Sequence, residues 1–336
     1  MSDHLDLIAS LETELPPCTL AYLPPSRRYL IVGTYDLQRE TGSRSGSLDI
    51  YDTLNGVNRT KAGSVESKDS SILDIRFSPH DPSKLVSAHS TGYFSVWKVT
   101  ETVDHGPQLI LQERVQVAEP EILVLSICIS PVESGLVCTT LSSGNFVLSR
   151  VSSLGSVKTS AVLSSVQAHT LEAWTASFKT DGTEIYTGGD DAQFTNYNVS
   201  DPESPFLIQQ DRKIHTAGVT AILPRRSDES TIFTGSYDEN LRVLEKFGNR
   251  WISKSGEIGL GGGVWRLIPN GVSEDLILVC CMHGGARIVK GTGEIVVVAT
   301  INKIHESMVY GGDWGQTGTL ATCSFYDKRL CIWKLP

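Results

Sequence analysis

The sequence has no run of 18 apolar residues, so no segment is expected to span a bilayer as a helix. Its first residues, MSDHLDLIASLETELPP, carry acidic side chains and lack the apolar core of a secretory signal peptide. The seven cysteines show no spacing typical of a disulfide framework, and most lie in apolar, strand-like runs where cysteine packs as a small hydrophobic residue. We therefore expect reduced cysteines and a cytoplasmic protein with no membrane partner.

Basic residues are too few and too scattered to form a surface for nucleic acid. The 336 residues include 29 Lys and Arg against 38 Asp and Glu, which gives a formal net charge of −9. No basic stripe is visible, so we predict no nucleic-acid partner. An acidic chain suits a cationic substrate or a basic protein partner, although solubility alone also explains the charge.

The common motifs of hydrolases, metal sites and nucleotide sites are missing as well. There is no G-x-S-x-G nucleophile elbow, and the nearest frame, GGDWG at 311–315, has Asp313 at its centre. No H-E-x-x-H, C-x-x-C pair or phosphate-binding loop occurs, so we predict neither a metal nor a cofactor. Motif chemistry alone indicates a non-catalytic interaction scaffold.

What the sequence does contain is a repeat whose copies begin about 45–53 residues apart, near positions 19, 72, 122, 173, 218, 263 and 308. Each copy has the pattern strand, turn, strand, tight turn, strand, with β-branched and aromatic residues between turn formers. No segment keeps a 3.6-residue apolar period over ten positions, which excludes helical solenoids. A β-rich repeat of this length is typical of a propeller.

The copies resemble WD repeats. Two of them end on tryptophan, in SVWKV (Trp97) and CIWKL (Trp333). Three histidines are each followed 22 or 23 residues later by an aspartate: His169, His215 and His305, then Asp191, Asp238 and Asp327. In WD repeats such a pair joins one hydrogen-bond network that pins the turn, so these six residues are expected to be structural.

We therefore predict an all-β, seven-bladed WD-repeat β-propeller that forms a single domain over residues 1–336, as a monomer. The last copy ends at Trp333 with no chain left for an outer strand. Residues near His4–Ser10 are expected to supply that strand, because pairing the two ends removes the open sheet edges.

Aromatic residues recur where the inner strands of the propeller begin. Alignment of these strands places seven residues around one mouth of the channel: Cys18, Leu73, Leu125, Trp174, Gly218, Trp265 and Tyr310. The three aromatic residues either pack between blades or form a cage for a quaternary ammonium group. His283 lies in CCMHGG (280–285), at a hairpin turn where other blades carry Asp, and is either a solvated turn residue or a group facing the same mouth.

Four motifs resemble the diphthine methyl ester hydrolase family, the WD-repeat component of diphthamide biosynthesis: GGGVWR (261–266), CMHGG (281–285), VYGGDW (309–314) and ATCSFYD (321–327). The resemblance is strong over 261–333 and extends back to Trp174. It implies hydrolysis of the methyl ester of methylated diphthine on elongation factor 2, giving diphthine and methanol. The substrate side chain carries a trimethylammonium group beside the ester, and elongation factor 2 is the implied partner.

For this reaction His283 is the expected general base, since an imidazole can accept a proton from water near neutral pH. Direct attack by water is favoured over a nucleophilic side chain, for which Cys281 or Ser324 is the candidate. Asp313 and Tyr237 are the other candidates for a catalytic role. Arg266 or Tyr237, or backbone N–H groups at Gly262, Gly263, Gly284 and Gly285, are candidate donors to the oxyanion. Substrate binding is assigned to Trp174, Trp265, Tyr310 and Arg266.

Two other functions stay open. One is a non-catalytic WD-repeat adaptor, because a fold does not by itself imply an activity. The other is an accessory of a methyltransferase, although no glycine-rich adenosylmethionine loop follows any predicted strand.

Overall fold

Every regular element in the described part of the chain is a β-strand. The computed structural model describes residues 5–54, 61–102, 106–292, 294–302, 304–316 and 318–335. Among these residues there is no helix with the length and hydropathy needed to cross a membrane.

The first strand, β1 (Asp6–Glu12), is followed by the strands of the first three blades. The first blade contains β2 (Pro17–Tyr22), β3 (Tyr29–Thr34), the two-residue β4 (Asp36–Leu37), β5 (Arg44–Asp52) and β6 (Gly63–Ser67). The second contains β7 (Ile72–Phe77), β8 (Lys84–His89), β9 (Tyr93–Thr102) and β10 (Gly106–Gln116). The third contains β11 (Val124–Ile129), β12 (Leu136–Leu141), β13 (Asn145–Arg150) and β14 (Ala161–Gln167).

The remaining strands form four further blades. The fourth blade contains β15 (Ala173–Phe178), β16 (Glu184–Gly189), β17 (Phe194–Asn198) and β18 (Phe206–Asp211). The fifth contains β19 (Val219–Pro224), β20 (Thr231–Ser236), β21 (Asn240–Phe247) and β22 (Arg250–Gly259). The sixth contains β23 (Arg266–Pro269), β24 (Leu276–Cys280), β25 (Ala286–Thr292) and β26 (Glu294–Ile301). The seventh contains β27 (Val309–Trp314), β28 (Thr319–Ser324) and β29 (Arg329–Lys334).

The sheets form a closed ring. Each blade is antiparallel in chain order, and the short β4 pairs with β5 to make a side hairpin on the first blade. The inner strands contact one another in the cyclic order β2, β7, β11, β15, β19, β23, β27 and back to β2. The predicted seven-bladed propeller is therefore confirmed.

The N-terminal strand closes this ring. β1 pairs antiparallel with β29, in a register that places Leu7 opposite Trp333 and Ser10 opposite Cys331. This confirms the predicted closure, except that His4 lies outside the described residues. Leu11 of β1 is buried in the apolar cluster shared by the first and seventh blades.

The core is divided among the junctions between blades. Among the described residues there are seven buried apolar clusters, and each draws its residues from two neighbouring blades. The first and seventh blades, for example, share Leu20 and Val32 with Cys323 and Ile332. Because each blade buries apolar surface on both sides, opening the ring at any junction exposes core.

The histidine and aspartate pairs stabilise turns, but in two arrangements. In the fourth blade His169 Nδ1 lies 2.9 Å from Asp191 Oδ1, and its Nε2 lies 2.7 Å from Thr187 Oγ1. In the fifth and seventh blades the imidazole contacts strand hydroxyl groups instead. The aspartates there accept the backbone N–H of the residue after the histidine, Thr216 or Glu306. All six residues thus take part in turn networks, as expected of structural residues, and the direct imidazole–carboxylate contact is found in the fourth blade.

Removal of residues 1–12 should lower the melting temperature by at least about 5 °C, because it deletes β1 and leaves β29 as an open edge. Thermal unfolding followed by circular dichroism measures the change. A truncation of residues 1–4, which keeps β1, is the control. An unchanged melting temperature after the longer deletion would show that β1 does not hold the ring closed.

Acid should destabilise the fold through three buried histidines. Burial lowers the pKa of His89 to about 3, and those of His215 and His305 to about 4. Their imidazoles are protonated more readily in the unfolded chain, so unfolding takes up protons as the pH falls below about 6.5. We expect the free energy of unfolding to be roughly 3 kcal/mol lower at pH 5.5 than at pH 7.

This pH dependence can be measured by urea denaturation across that range, where carboxyl groups barely titrate. His89→Gln should flatten the dependence, and the same substitution at the exposed His80 is the control. A dependence that is equally steep in both variants would contradict the assignment to His89.

Candidate functional site

A β-bulge recurs near the start of the inner strands. In six blades the pairing of the inner strand with the next strand shifts register at one residue: Cys18, Leu73, Leu125, Trp174, Thr220 and Tyr310. In the sixth blade the equivalent residue is Trp265, whose N–H donates to the carbonyl of Cys280 just before β23 begins. A bulge breaks the strict alternation of side chains and re-aims one of them.

The bulges correct one of the seven ring positions. In the fifth blade the bulge lies at Thr220, so Gly218 was the wrong residue. Thr220 Oγ1 donates to the carbonyl of Val264, just as Cys18 Sγ donates to the carbonyl of Ile72. The fixed step of four positions back from the central apolar residue missed Thr220, because it reached Gly218, one residue before β19 begins.

The bulge residues line one cavity of about 760 Å³ at the face where the inner strands begin. Six of the seven contribute to its wall: Cys18, Leu73, Leu125, Trp174, Trp265 and Tyr310. Tyr237, from the turn between β20 and β21, joins them. The structure therefore brings together four aromatic residues that the sequence indicated separately.

These four residues, Trp174, Tyr237, Trp265 and Tyr310, are called the aromatic cage below. The ring centroids of Trp174 and Trp265 lie 5.5 Å apart, and those of Trp265 and Tyr310 lie 5.1 Å apart. Tyr237 lies 6.1 Å from Trp174 and 6.0 Å from Trp265. The planes are inclined to one another by 34–90°, so the rings form walls instead of a stack. All four are half-buried, which leaves ring surface facing the cavity.

Sequence analysis missed the residues that extend the cage. Phe325 and Tyr326, in the turn between β28 and β29, also line the cavity, and the ring of Phe325 lies 5.7 Å from that of Tyr310. Both residues belong to the motif ATCSFYD (321–327), so the sequence did contain an indication of them. Tyr35 and Asp36, beside the β4–β5 hairpin of the first blade, cover another side of the mouth. That hairpin has no counterpart in the other blades, so the repeat alignment gave no position for it.

Charged groups on the cavity wall are mainly acidic. Asp36 and Glu172 line it, together with the exposed Arg39. Burial raises the pKa of Tyr310 to about 12, and burial and the negative charge of Asp190 raise that of Tyr237 further. Both phenols therefore stay protonated at neutral pH and can donate hydrogen bonds.

Arg266 lies beneath the cage and does not line the cavity. Its Nη1 lies 2.7 Å from Asp74 Oδ1 across the channel, and its Nη2 donates to the carbonyl of Leu73 at 3.3 Å. Burial opposes ionisation of Asp74, but the charges of Arg266 and Arg76 hold its pKa below the ordinary value. The predicted substrate contact of Arg266 is corrected here, because its guanidinium group is committed to this buried ion pair.

The ion pair supports the floor of the cage. Trp174 and Trp265 also line a smaller cavity of about 50 Å³, which Arg76 and Arg266 border from below. The two tryptophans thus separate the aromatic cavity from the interior of the channel. A ligand of the cage must enter from the face where the inner strands begin.

His283 lies outside the cavity wall. Its side chain is 59% exposed, and its Nε2 lies 3.6 Å from Glu239 Oε1 of the neighbouring blade. The turn that carries His283 lies on the predicted face of the propeller. The cavity on that face is lined by Tyr237 of the fifth blade and Tyr310 of the seventh, and not by His283. The structure does not support His283 as the base at the cage.

The glycines around His283 serve close packing. A Cβ on Gly262 would lie 2.1 Å from the carbonyl oxygen of Cys281, so no other residue fits there. The N–H groups of Gly284 and Gly285 donate to Cys281 and Met282 within the turn. The motifs at 261–266 and 281–285 therefore pack on each other, and these two N–H groups are not available to an oxyanion.

Cys281 and Asp313 are also placed away from the cavity. Cys281 is fully buried in the cluster between the fifth and sixth blades, and burial raises its pKa to about 12, which suppresses the nucleophilic thiolate. Asp313 accepts the N–H groups of Tyr22 and Trp314 at 2.7 and 2.8 Å, and burial raises its pKa. Both are structural residues here. No group of three or more metal-ligating side chains occurs in the described ranges.

Comparison with known proteins places the chain in a family. No protein-family model matches the sequence. Diphthine methyltransferase of Schizosaccharomyces pombe is 35% identical over 331 residues, a match that covers 96% of this chain and 95% of that protein. The chain belongs to the diphthine methyltransferase family.

Diphthine methyltransferase of Saccharomyces cerevisiae is 29% identical and is matched over 98% of both chains. These matches to the diphthine methyltransferase family span nearly the whole propeller, so they are not confined to a few generic repeats. A chain in the crystal structure of the mitotic checkpoint complex superposes with a TM-score of 0.74, covering 99% of this chain and 93% of that one. At 14% identity that likeness shows the fold alone.

Arg266→Met should reduce the free energy of unfolding by about 3 kcal/mol, the lower end for a broken buried pair, because Arg76 remains 3.3 Å from the buried carboxylate of Asp74. The double variant Asp74→Leu/Arg266→Met removes both charges and should recover part of that loss. Urea denaturation measures both. The single variant Asp74→Leu completes the comparison. A double variant that loses as much stability as Asp74→Leu and Arg266→Met together would show that the two charges do not interact.

Proposed function

We propose that this member of the diphthine methyltransferase family hydrolyses the methyl ester of methylated diphthine on elongation factor 2. The products are diphthine and methanol. The observation that carries the proposal is the aromatic cage at the blind end of a cavity that opens on one face. The relatives are diphthine-modifying enzymes by name, which supports diphthine as the modified residue.

The cage suits the trimethylammonium group of that side chain. Aromatic faces attract a quaternary ammonium through the negative ring quadrupole, most strongly for tryptophan. Such a cation cannot donate hydrogen bonds, so a wall of Trp174, Trp265 and Tyr310 satisfies it better than a cluster of carbonyl groups. The acidic Asp36 and Glu172 add attraction for the same charge.

Ester hydrolysis beside the cage needs three functions. Water adds to the ester carbon, its proton passes to a base, and the tetrahedral oxyanion requires hydrogen-bond donors. The protonated hydroxyl groups of Tyr237 and Tyr310 are donors on the cavity wall. Asp36 and Glu172 are the carboxylates there that can accept the proton and return it to the departing methoxide, which leaves as methanol.

Hydrolysis and methyl transfer make different demands on the protein. The relatives are named as methyltransferases. Methyl transfer requires a second pocket for a methyl donor, and the sequence has no glycine-rich loop between a strand and a helix to form it. Hydrolysis requires only water and the cavity described above, which supports the esterase.

The decisive experiment follows the mass of elongation factor 2 that carries methylated diphthine, incubated with the purified protein. Loss of one methylene unit with release of methanol is the result expected of an esterase. A gain of the same mass on elongation factor 2 whose modified side chain is not yet fully methylated, in the presence of S-adenosylmethionine, would establish a methyltransferase. Stable binding with no change in mass under either condition would establish an adaptor.

Substitutions at the cage should separate binding from chemistry. Trp265→Leu should raise KM about tenfold, because it removes a face that contacts the cation. Tyr237→Phe should lower kcat by about 10² while KM stays near its original value, because it removes one donor to the oxyanion. Steady-state kinetics on modified elongation factor 2 measures both parameters.

His283→Asn serves as the control for these variants and should keep near-normal turnover, because His283 does not line the cavity. A loss of about 10² in kcat for this variant would restore His283 as the general base. Normal kinetics in both Trp265→Leu and Tyr237→Phe would exclude the cage as the reaction site.

A further inference from the structure

Asp190 lies directly behind the aromatic cage. The indole Nε1–H of Trp174 donates to Asp190 Oδ1 at 3.0 Å. The backbone N–H of Asp190 donates to the carbonyl of Glu172, two residues before Trp174, at 2.9 Å. The carboxylate is therefore held in register with the strand that carries the tryptophan.

Gly218 brings the fifth blade against this carboxylate. A Cβ on Gly218 would lie 2.9 Å from Asp190 Oδ1 and 2.9 Å from the ring of Tyr237, closer than real Cβ atoms approach. Only glycine lets the fourth and fifth blades meet at this point. Asp190 thus touches the elements that carry two of the four cage residues.

The charge of Asp190 has no basic partner within the described parts of the chain, where no ion pair to it is formed. Its neighbour Asp191 differs, because its carboxylate accepts from Thr170 and Gln193 and contacts His169. Two adjacent aspartates therefore have separate roles. Asp191 pins the turn, whereas the half-buried Asp190 lies against the indole of Trp174 and forms no ion pair with the described residues.

An uncompensated carboxylate at this place strengthens the attraction of the cage for a cation. An N–H group that donates to an anion shifts electron density into the indole, so the face of Trp174 becomes more negative. The charge also acts through space, and its effect already reaches the phenol of Tyr237, whose pKa it helps to raise.

We propose that Asp190 increases the preference of the cage for a quaternary ammonium group over a neutral group of the same shape. Aromatic walls also accept a tert-butyl group, since apolar contact does not depend on charge. The ring quadrupoles supply part of the discrimination, and the carboxylate behind Trp174 adds to it. The inference deepens the proposed function, on which it rests for the identity of the natural ligand.

The test uses two small probes of equal shape: choline, and its carbon isostere in which a tert-butyl group replaces the trimethylammonium. Binding to the full chain is measured by calorimetry or by quenching of tryptophan fluorescence. The unsubstituted protein should bind choline more tightly than the isostere. Asp190→Asn keeps an acceptor for the indole N–H but removes the charge, so it should weaken choline binding about fivefold and leave the isostere unchanged.

Two further variants sharpen the comparison. Asp190→Leu removes the acceptor as well as the charge and should weaken both probes. Asp36→Asn removes a carboxylate at the mouth of the cavity and should reduce choline binding less than Asp190→Asn does. Equal loss of both probes in Asp190→Asn would reduce Asp190 to a packing role, and no loss of either would overturn the proposal.

This test does not depend on ester hydrolysis. A fall in choline selectivity in Asp190→Asn supports the role of Asp190 even if elongation factor 2 keeps its methyl ester. Hydrolysis of the ester with no preference for choline over its isostere would support the esterase and overturn the role of Asp190.

Discussion

The site depends on a β-bulge near the start of the inner strands. Regular pairing would alternate side chains between the two faces of each blade and bury them between blades. The bulge frees one residue in a blade from that alternation, and the ring then collects these residues at one mouth of the channel. Where the sequence supplies Trp174, Trp265 and Tyr310 at bulge positions, the same backbone that closes the propeller also makes an aromatic cavity.

Two carboxylates, the buried Asp74 and the half-buried Asp190, lie below and behind that cavity. Asp74 is compensated by Arg266, and the pair joins the second and sixth blades across the channel. Asp190 has no cation of its own and lies against the indole of Trp174. A buried charge with a partner fixes geometry, whereas a charge without one creates a potential. The ion pair of Asp74 and Arg266 therefore supports the cage from below, and Asp190 places a negative charge behind Trp174.

The fold was predictable because each blade repeats the same pattern, and the closing strand followed from a last copy with too little chain. The cage residues were predictable in part, since the bulge places them at nearly constant distance from the central apolar residue. Gly218 failed that rule because it lies one residue before β19 begins, whereas the bulge of the fifth blade lies two residues further on, at Thr220. The roles of His283 and Arg266 could not be read from residue type, because what decides them is a neighbour distant in sequence, Glu239 for one and Asp74 for the other.

Under the proposed function, the cage acts on catalysis by positioning the ester that lies beside the bound cation. Binding of the trimethylammonium group contributes equally to the ground state and the transition state, so by itself it does not accelerate the reaction. It does hold the adjacent ester against the hydroxyl groups of Tyr237 and Tyr310. The entropy cost of bringing the ester and these donors together is then met on binding and not in the chemical step. An acidic, aromatic cavity with few polar groups can then hydrolyse an ester without the nucleophile motifs that its sequence lacks, because recognition of the cation performs the orientation.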